Sequence, residues 1–306
     1  MTAAPHVPVL LQQTIDLLQP GPGRRYVDGT FGFGGHSEAL LAAGAEVLGL
    51  DLDAVACAAC ARLATDRPQL HCRRASFRDL DRALAAQGWP AVDGVLLDLG
   101  VSSLQLDDAR KGFSYRADGP LDLRFDQDQG EPASSLLADL DERHLADLLW
   151  SLGEERASRR IARAVVAARA EAPVDTTARL RAVVESVLHR GAKPEPVLSR
   201  VFQALRIAAN DELGALEEVL QKLAPALAPG GRFVVIAYHS LEDRLVKRFI
   251  DREKRDCICP ADVPQCVCGH TRTLRALTKG ALTAGTDEAV RNPRARSARL
   301  RAAERI

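Results

Sequence analysis

The stretch VDGTFGFGGHSEALL, from Val27 to Leu41, joins a short apolar segment to a helical pattern through a glycine-rich turn. The apolar segment ends at Asp28, and the helical pattern begins near His36. Glycines allow the backbone to approach a ligand closely, and the start of a helix offers N–H groups to an anion. A strand, a glycine turn and a helix in this order are typical of the ligand-binding loop of doubly wound α/β folds.

An acidic residue follows the glycine turn at a spacing that suits a nucleoside ligand. Asp51 comes directly after the next predicted strand, Glu46–Leu50, about 20 residues beyond Gly32, where doubly wound folds place the acid that binds ribose hydroxyls. A dinucleotide fingerprint requires a third glycine where Ser37 stands, because the helix must pack closely beneath a pyrophosphate. S-adenosylmethionine has no pyrophosphate, so the glycine spacing favours this methyl donor. A dinucleotide and a plain tight turn are the alternatives.

The rest of the chain divides into a part with alternating strands and helices and a part with helices alone. Strand and helix patterns alternate up to Asp98, which predicts a parallel, doubly wound sheet. Apolar residues then recur at helical spacing from about Pro132 to Asn210, and a strand pattern resumes at Arg232–Tyr238. We therefore expect an α/β fold, with a Rossmann-like sheet domain over residues 1–110 and 208–306 and an inserted all-helical subdomain over residues 111–207.

Composition and charge limit the class of protein. The chain has 306 residues, and 46% of them are hydrophobic, which is enough for a sizeable core. The formal net charge is zero, so the overall charge does not indicate a nucleic-acid-binding protein. No apolar stretch reaches the roughly 18 residues needed to cross a bilayer, and residues 1–11 lack the pattern of a signal peptide. We expect a cytoplasmic protein in which Cys57, Cys60 and Cys72 are thiols packed in or beside the core.

The stretch LLDLGVSSLQLD, residues Leu96–Asp107, follows the fourth predicted strand. Its Asp98 is expected at the carboxyl end of that strand, where doubly wound sheets bind their ligands. Methyltransferases that act on amino groups place a short motif led by Asp, Asn or Ser there. A carboxylate that accepts the N–H bonds of the amine orients it and offsets the positive charge that develops as the methyl group arrives. The alternative for Asp98 is a cap at the end of the strand.

The residues after Asp98 bear on the kind of nucleic acid. Enzymes that methylate DNA amines carry Pro-Pro-Tyr or a similar motif after the acid, and Leu99-Gly100-Val101 counts against that class.

The stretch CICPADVPQCVC carries a paired C-x-C arrangement toward the C-terminus. Four thiolates would suit a tetrahedral zinc ion, and the candidate ligands are Cys257, Cys259, Cys266 and Cys268. Structural zinc sites more often use C-x-x-C, which turns the chain around the metal. Zinc is therefore not favoured over the absence of any special role, and a redox-sensitive pair is a third alternative.

Arginine is concentrated in the last stretch, RNPRARSARLRAAER, residues Arg291–Arg305. Arginine-rich segments commonly contact RNA phosphates, and an ordinary exposed strand is the alternative. Two groups of basic residues on predicted helices could likewise contact phosphate, with a solvated helix face as the alternative. The first group is Arg156, Arg159, Arg160 and Arg163, and the second is Arg244, Lys247 and Arg248.

Segments along nearly the whole chain resemble, in order, the motifs of the MraW-type methyltransferase family. The resemblance is carried by HVPVLL (His6–Leu11), DGTFGFGGHS (Asp28–Ser37), DLGVSSLQLD (Asp98–Asp107), GFSYRADGPLDLRFD (Gly112–Asp126), GEERASRRIA (Gly153–Ala162), FQALRIAANDEL (Phe202–Leu213), HSLEDRLVKRF (His239–Phe249) and NPRARSARLR (Asn292–Arg301). The chain departs from the family pattern at Leu104, where Pro is usual, and at Lys111, where Arg is usual. Neither departure removes a polar group that is expected at the cofactor.

The resemblance implies a Rossmann-like, doubly wound methyltransferase sheet that binds S-adenosylmethionine. Members of the family methylate the exocyclic amine, N4, of one cytidine in the decoding region of small-subunit (16S) ribosomal RNA. The implied partner is this RNA within an assembled or nearly assembled subunit. The resemblance implies no membrane partner, and it leaves the oligomeric state open.

The same resemblance implies which residues form the site. The implied cofactor pocket consists of Gly34, Gly35, His36, Asp51, Phe77, Asp98 and Gln105. The first three face the methionine portion of the donor, Asp51 takes the ribose hydroxyls and Phe77 flanks the adenine. Asp98 and His239 are the candidate catalytic residues, with the acids Glu242 and Asp243 nearby. As alternatives, His36 would contact only solvent and Phe77 would be an ordinary core residue.

Overall fold

A computed structural model describes residues 8–260, 263 and 265–306. His6 and Val7, the first residues of the HVPVLL motif, lie outside the described residues. The described chain forms two compact units. The sheet unit runs to Gly100 and resumes at Leu213, and the helical unit is Val101–Glu212. In the described part of the chain, no helix combines the length and the apolar character needed to span a bilayer.

The sheet unit is built on a seven-stranded sheet in the order β3-β2-β1-β4-β5-β7-β6. Its strands are β1 (Arg25–Asp28), β2 (Glu46–Asp51), β3 (Leu70–Arg74), β4 (Val92–Asp98), β5 (Leu227–Ala237), β6 (Leu274–Ala276) and β7 (Arg299–Arg305). The helices of both units are α1 (Leu11–Leu18), α2 (Gly35–Ala42), α3 (Ala54–Thr65), α4 (Leu80–Gln87), α5 (Ser103–Asp107), α6 (Ala133–Asp139), α7 (Glu142–Gly153), α8 (Ser158–Glu171), α9 (Thr177–Ser186), α10 (Glu195–Asn210), α11 (Glu212–Ala226), α12 (Ser240–Glu253) and α13 (Thr286–Arg291). The expected Rossmann-like class is confirmed.

Both faces of the sheet are covered, as the near-continuous apolar character of its central strands requires. Because successive side chains of a strand point to opposite faces, Val27 and Val95 pack into one core with α4, α11 and α12. Tyr26 and Leu96, their neighbours along the chain, pack into a second core that includes residues of α1 and α2. Strands β1 to β5 pair in parallel, and β1 lies between β2 and β4. The chain order therefore reverses at β1, and the crevice between β1 and β4 is where such sheets bind ligands.

The C-terminal arginine-rich stretch forms part of the sheet instead of an exposed end. Strand β7 lies between β5 and β6 and pairs with both in antiparallel fashion. Leu300 and Ala302 are fully buried, so the strand itself is not an exposed one, whereas contact of its arginines with RNA stays a prediction. The register pairs Arg299 with Ala237, the last residue of β5, and Glu304 with Arg232. The beginning of β7 therefore lies at the same sheet edge as the carboxyl end of β5.

The helical unit has a core of its own, which holds apolar side chains of α6 to α10. Its described residues form helices and one isolated bridge between Pro120 and Thr176. In the GEERASRRIA motif, Gly153 ends α7 against α10, and an added Cβ there would lie 2.6 Å from the carbonyl oxygen of Arg200. Glu155, which is 2% exposed, accepts a 2.7 Å hydrogen bond from Arg200 Nε. This part of the motif therefore serves the packing of two helices.

The cysteines of the sheet unit differ from the expectation in one respect. Cys60 is buried as expected, but the prediction that Cys60 and Cys72 are thiols is wrong, because a disulfide joins them. Helix α3 packs along β3 and brings their Cα atoms to 5.9 Å, a separation that suits a disulfide. The Sγ atom of Cys57 instead donates to the carbonyl oxygen of Asp51, at 3.4 Å.

We predict that Gly153→Ala lowers the free energy of unfolding by about 1–3 kcal/mol, because the methyl group forces α7 and α10 apart. The measurement is chemical denaturation followed by circular dichroism. Gly280→Ala is the matched control, since an added Cβ at Gly280 meets nothing within 4 Å. Equal stability of the two variants would show that the close contact at Gly153 is dispensable.

Candidate active site

The glycine loop after β1 is held by close backbone packing. An added Cβ at Gly29 would lie 2.6 Å from Leu97 Cδ2, and one at Gly34 would lie 2.7 Å from Phe31 Cζ. Gly34 also has a φ of +79°, a conformation that side chains disfavour. By contrast, an added Cβ at Gly32 would meet only the Thr30 carbonyl oxygen, at 3.9 Å. The loop is therefore tightly packed at its two ends and has open space at Gly32.

Asp51 ties the glycine loop to the end of β2. Its Oδ2 accepts a 2.8 Å hydrogen bond from Gly32 N, and its Oδ1 accepts one of 2.8 Å from Asp53 N. Burial raises the pKa of Asp51, and these N–H donors oppose the rise. Each carboxylate oxygen has two lone pairs, so both can accept a further hydrogen bond. Asp51 thus lies where the sequence pattern predicts an acid for ribose hydroxyls, and that role stays a prediction.

Ser37, which stands where a dinucleotide fingerprint has glycine, has a structural use of its own. Its Oγ donates a 2.7 Å hydrogen bond to Oδ2 of Asp28, and Thr30 N donates to Oδ1 of the same carboxylate at 3.2 Å. Asp28 is 2% exposed, and burial raises its pKa. The sequence analysis did not indicate this contact. A buried carboxylate requires such donors, which explains a hydroxyl at this position.

His36 lies inside the protein, so the alternative in which it contacts only solvent is wrong. It is 6% exposed, and its Nε2 lies 3.1 Å from the carbonyl oxygen of Val9. Because a carbonyl only accepts, this contact assigns the ring proton to Nε2. Burial lowers the pKa of His36 and favours the neutral ring. Its Nδ1, which is then unprotonated, lies 3.8 Å from Oδ2 of Asp98.

Asp98 is the acid at the carboxyl end of β4, and it is fastened at two points. Its backbone N donates to Thr30 Oγ1 at 2.7 Å, and Oδ1 accepts a 2.7 Å hydrogen bond from the Tyr238 hydroxyl. Burial raises the pKa of Asp98 to about 7, Tyr238 and Arg294 oppose the rise, and Glu242 adds to it. The side chain is nevertheless 21% exposed. Asp98 is therefore a positioned, accessible carboxyl group that changes its charge near neutral pH.

Tyr238 contacts Asp98 in the candidate site, and the sequence analysis did not indicate it. It directly follows β5, the strand that pairs in parallel with β4, and this placement brings its hydroxyl to Asp98. Burial raises the pKa of Tyr238, and the charge of Asp98 raises it further. Tyr238 therefore keeps its proton and acts as a hydrogen-bond donor. The signal in the sequence was its position, one residue before His239 at the end of a predicted strand.

His239 and Glu242 form the start of α12. Nδ1 of His239 accepts from Glu242 N at 3.5 Å, and the Glu242 carboxylate accepts from His239 N at 3.3 Å, so the pair makes a capping box. Nε2 of His239 lies 3.1 Å from Glu242 Oε1. Oε2 of Glu242 also accepts a 2.8 Å hydrogen bond from Tyr238 N. These contacts give His239 a structural use, and its catalytic role stays a prediction.

Asp243 belongs to an ion-pair cluster with the beginning of β7. It accepts hydrogen bonds from Arg301 at 2.7 and 3.1 Å and lies 3.4 Å from Arg299. Burial alone would raise the pKa of Asp243, but the two guanidinium groups hold it below its usual value. Asp243 is thereby a structural anchor for the C-terminal arginines at the carboxyl edge of the sheet.

The remaining predicted pocket residues have ordinary local contacts. Phe77 follows β3 in a short 3-10 turn and is half-buried against the core that also contains Val27. Gln105 lies in the helical unit, is 8% exposed and accepts a 2.8 Å hydrogen bond from Ser102 N. Gly35, the first residue of α2, has no room for a side chain, because an added Cβ would lie 2.4 Å from Pro8 Cγ. The roles of these residues toward a cofactor stay predictions.

The basic side chains that were predicted to contact RNA are on the surface of both units. Arg296 and Arg299 are exposed, and Arg299 begins β7 at the carboxyl edge of the sheet. The group Arg156, Arg159, Arg160 and Arg163 is exposed on and beside α8, and Arg163 pairs with Glu142 at 3.3 Å. The α12 group is likewise exposed, at Arg244, Lys247 and Arg248.

Comparison with known proteins places these features in a family. The family model of the MraW methylase family matches residues 3–306. The chain is 51% identical over 305 residues to the ribosomal RNA small subunit methyltransferase H of Anaeromyxobacter sp. (strain K), with 98% of each chain covered. It is 48% identical over 313 residues to the protein of the same name from Nitratidesulfovibrio vulgaris (strain DP4), with 99% of this chain and 96% of the relative covered.

The similarity to solved structures is weaker. The crystal structure of an rRNA methylase from Streptococcus thermophilus has a TM-score of 0.43 at 12% identity, with 100% of this chain and 99% of that chain covered. Fibrillarin from Aeropyrum pernix, solved with natively bound S-adenosyl-L-methionine, has a TM-score of 0.37 at 9% identity, with 92% and 67% covered. The match of the family model and the identities of the curated relatives decide the assignment: the chain belongs to the MraW methylase family.

Proposed function

We propose that the protein is an S-adenosylmethionine-dependent methyltransferase that methylates the exocyclic amine, N4, of a cytidine in the decoding region of small-subunit ribosomal RNA. The observation that carries the proposal is Asp98, a positioned and accessible carboxyl group at the switch point of the sheet. The names of the relatives support ribosomal RNA of the small subunit as the substrate. The choice of cytidine N4 rests on the chemistry of Asp98 and on the resemblance to the family.

The residues of the carboxyl edge fit S-adenosylmethionine. The donor carries a sulfonium and an ammonium cation together with two ribose hydroxyls, so it offers positive charge and hydrogen-bond donors. Asp51 and Asp98 supply acceptors, and the loop has open space at Gly32. We assign Asp51 to the ribose hydroxyls, Gly34, Gly35 and His36 to the methionine portion, and Phe77 to the adenine. Asp98 and Gln105 complete the proposed set.

Asp98 is suited to hold the target amine. When bound, S-adenosylmethionine supplies an electrophilic methyl group on its sulfonium sulfur. The nitrogen lone pair of the cytosine amine is delocalised into the ring, which makes the amine a weak nucleophile. A carboxylate that accepts the N–H bonds orients the amine and stabilises the positive charge that develops on it. Tyr238 holds Oδ1 at 2.7 Å, so the orientation of Asp98 is set before the substrate arrives.

Asp98 can also take up the proton that the methylated amine must lose. The pKa of Asp98 is raised to about 7, which lies close to the operating pH, where a general base works best. The methylated, cationic amine is far more acidic than the neutral one, so transfer of its proton to Asp98 or to water is favourable. His36 lies 3.8 Å from Oδ2 of Asp98, and because its ring is neutral it places no positive charge beside this carboxyl group.

The arginines at the beginning of β7 supply a surface for RNA at the edge where the chemistry takes place. Arg299 is 53% exposed on its side chain, and its register with Ala237 brings it to the carboxyl edge of the sheet. Exposed guanidinium groups there would contact phosphates flanking the target cytidine and release counterions.

We propose a cytoplasmic location and, as substrate, the RNA of an assembled or nearly assembled small subunit.

We predict that Asp51→Ala weakens binding of S-adenosylmethionine by about tenfold or more, since each lost hydrogen bond to a charged group is worth roughly 1.5–3 kcal/mol. Isothermal titration calorimetry measures the effect. Asp81→Ala, which removes a largely exposed acid that pairs with Lys222, is the control. Unchanged affinity in a folded Asp51→Ala protein would remove this residue from the cofactor site.

We predict that Asp98→Asn lowers the rate of methyl transfer at saturating donor by about 100-fold or more, because the charge that stabilises the transition state is lost. Single-turnover methylation of ribosomal RNA at saturating donor measures the rate, and calorimetry measures donor affinity separately. If the rate recovers at saturating donor, Asp98 serves binding alone and the proposed catalytic role is wrong.

The pH dependence of the same reaction provides an internal check. Because the ionised form of Asp98 accepts the N–H bonds, the rate should fall as pH decreases through about 7. Tyr238→Phe removes a hydrogen bond that lowers the pKa of Asp98, so the midpoint of the profile should move to higher pH. A profile that is identical in the wild type and in Tyr238→Phe would contradict the assignment of this midpoint to Asp98.

We predict that Arg299→Gln weakens RNA binding and reduces the slope of log K against log salt by about 0.7–0.9, the value for one lost phosphate contact. Arg275→Gln is the matched control. Arg275 is 63% exposed and ion-paired with Glu304, but its register with Glu304 puts it at the opposite edge of the sheet. Equal salt slopes for the two variants would show that the beginning of β7 does not contact phosphate.

A further inference from the structure

The connection from α12 to β6 has little burial among its described residues. Its ends are joined, since Thr273 N donates to the Glu253 carbonyl oxygen at 2.9 Å and Thr273 Oγ1 donates to Glu253 Oε2 at 2.7 Å. Between them, none of the described residues of 254–273 is in a helix or strand, and none of them is buried. Val267 is 81% exposed. Hydrophobic burial therefore does not hold the described part of this loop.

The four cysteines of the loop come together instead. Their Sγ atoms all lie within 4.8 Å of one another. The distances are 3.5 Å between Cys257 and Cys266, 3.6 Å between Cys266 and Cys268, and 3.8 Å between Cys257 and Cys268. These separations are much longer than the roughly 2.05 Å of a disulfide bond. They match the edge of a tetrahedron of sulfur atoms around zinc, which is about 3.8 Å for Zn–S bonds of about 2.3 Å.

Backbone N–H groups surround the sulfur atoms in a reciprocal pattern. The residue in the middle of each C-x-C motif donates to a cysteine of the other motif, with Ile258 N at 3.5 Å from Cys268 Sγ and Val267 N at 3.4 Å from Cys259 Sγ. Cys259 N also donates to Cys257 Sγ at 3.4 Å. Such donors stabilise the negative charge of metal-bound thiolates. The two C-x-C motifs thus contact each other reciprocally, which brings all four sulfur atoms around one point despite the C-x-C spacing.

We propose that Cys257, Cys259, Cys266 and Cys268 bind one zinc ion as a structural tetrathiolate site that orders the loop between α12 and β6. Each thiol gives up its proton to solvent on binding, so all four ligands are thiolates. The protein fills all four positions and leaves none for water or substrate, which is typical of a structural site. Sulfur ligands in a tetrahedron suit zinc or iron, and redox-inert zinc suits thiolates in an exposed loop.

The place of the loop in the sheet unit also indicates a structural role. Helix α12 begins at the carboxyl edge of β5, and the loop ends at Thr273, directly before β6. Leu274, the first residue of β6, pairs with Arg305 at the end of β7, which lies at the opposite edge from Arg299. The cysteine cluster is thus tied to the edge opposite Asp98. The proposal is therefore independent of the proposed methyl transfer.

The experiment uses the full chain, purified under reducing conditions from cells grown with zinc. Mass spectrometry of the metals should find about one zinc per chain, as a four-ligand site requires. The double variant Cys266→Ser/Cys268→Ser should lose the zinc, and Cys57→Ser, which changes a cysteine of the sheet unit, should keep it. Iron in place of zinc, no metal in the wild type, or zinc retained by the double variant would each overturn the proposal.

Two measurements on the wild type keep the proposal testable if the double variant does not fold. Replacement of the bound metal by Co²⁺ should produce the visible absorption bands of tetrahedral thiolate coordination. Removal of the metal by a chelator should open the loop to trypsin at Arg255 and Arg272, which flank the cysteines, and zinc should restore resistance. Cobalt without these bands, or cleavage that is the same with and without metal, would contradict the proposed site.

Discussion

The arrangement of the active site depends on one constraint, the parallel pairing of β1 with β2 on one side and with β4 on the other. Because the chain continues from β1 to β2 on one side and from β4 to β5 on the other, the loops after β1 and β4 separate and leave a crevice between them. Two hydrogen bonds hold the base of this crevice, one from Gly29 N to the Leu96 carbonyl oxygen at 2.9 Å and one from Asp98 N to the hydroxyl of Thr30 at 2.7 Å. The functional side chains are therefore placed by rigid strand ends.

The carboxyl groups at this edge differ in their hydrogen-bond donors. Asp28 is buried and accepts from Ser37 and Thr30, which suits a structural anchor. Asp51 accepts from two backbone N–H groups and keeps lone pairs for a ligand. Asp98 accepts from Tyr238, and burial raises its pKa to about 7. Buried acids at one edge favour a cationic ligand, and Asp98, whose pKa is raised to about 7, lies at the switch point.

The sequence predicted the features that local patterns encode, and it failed where distant segments meet. Glycine spacing and strand ends located the loop, Asp51 and Asp98, because both signals depend on neighbouring residues. Tyr238 was missed because it lies 140 residues from Asp98, and only the pairing of β4 with β5 brings the two together. The position of β7 in the sheet was missed for the same reason. Its apolar pattern indicated a strand, but its insertion between β5 and β6 depends on antiparallel pairing that periodicity does not report.

The antiparallel β7 gives the two edges of the sheet different roles. At its beginning, Arg299 and Arg301 pair with Asp243 of α12 and carry positive charge to the edge that holds Asp98. At its end, the chain meets β6 and the loop that contains the cysteine cluster. Helix α12 joins the two edges, with its capping box at His239, directly after Tyr238, and its last residue, Glu253, at the base of the loop. One helix therefore contacts the base of the loop through Glu253 and, at its other end, holds the backbone of Tyr238, whose hydroxyl donates to Asp98.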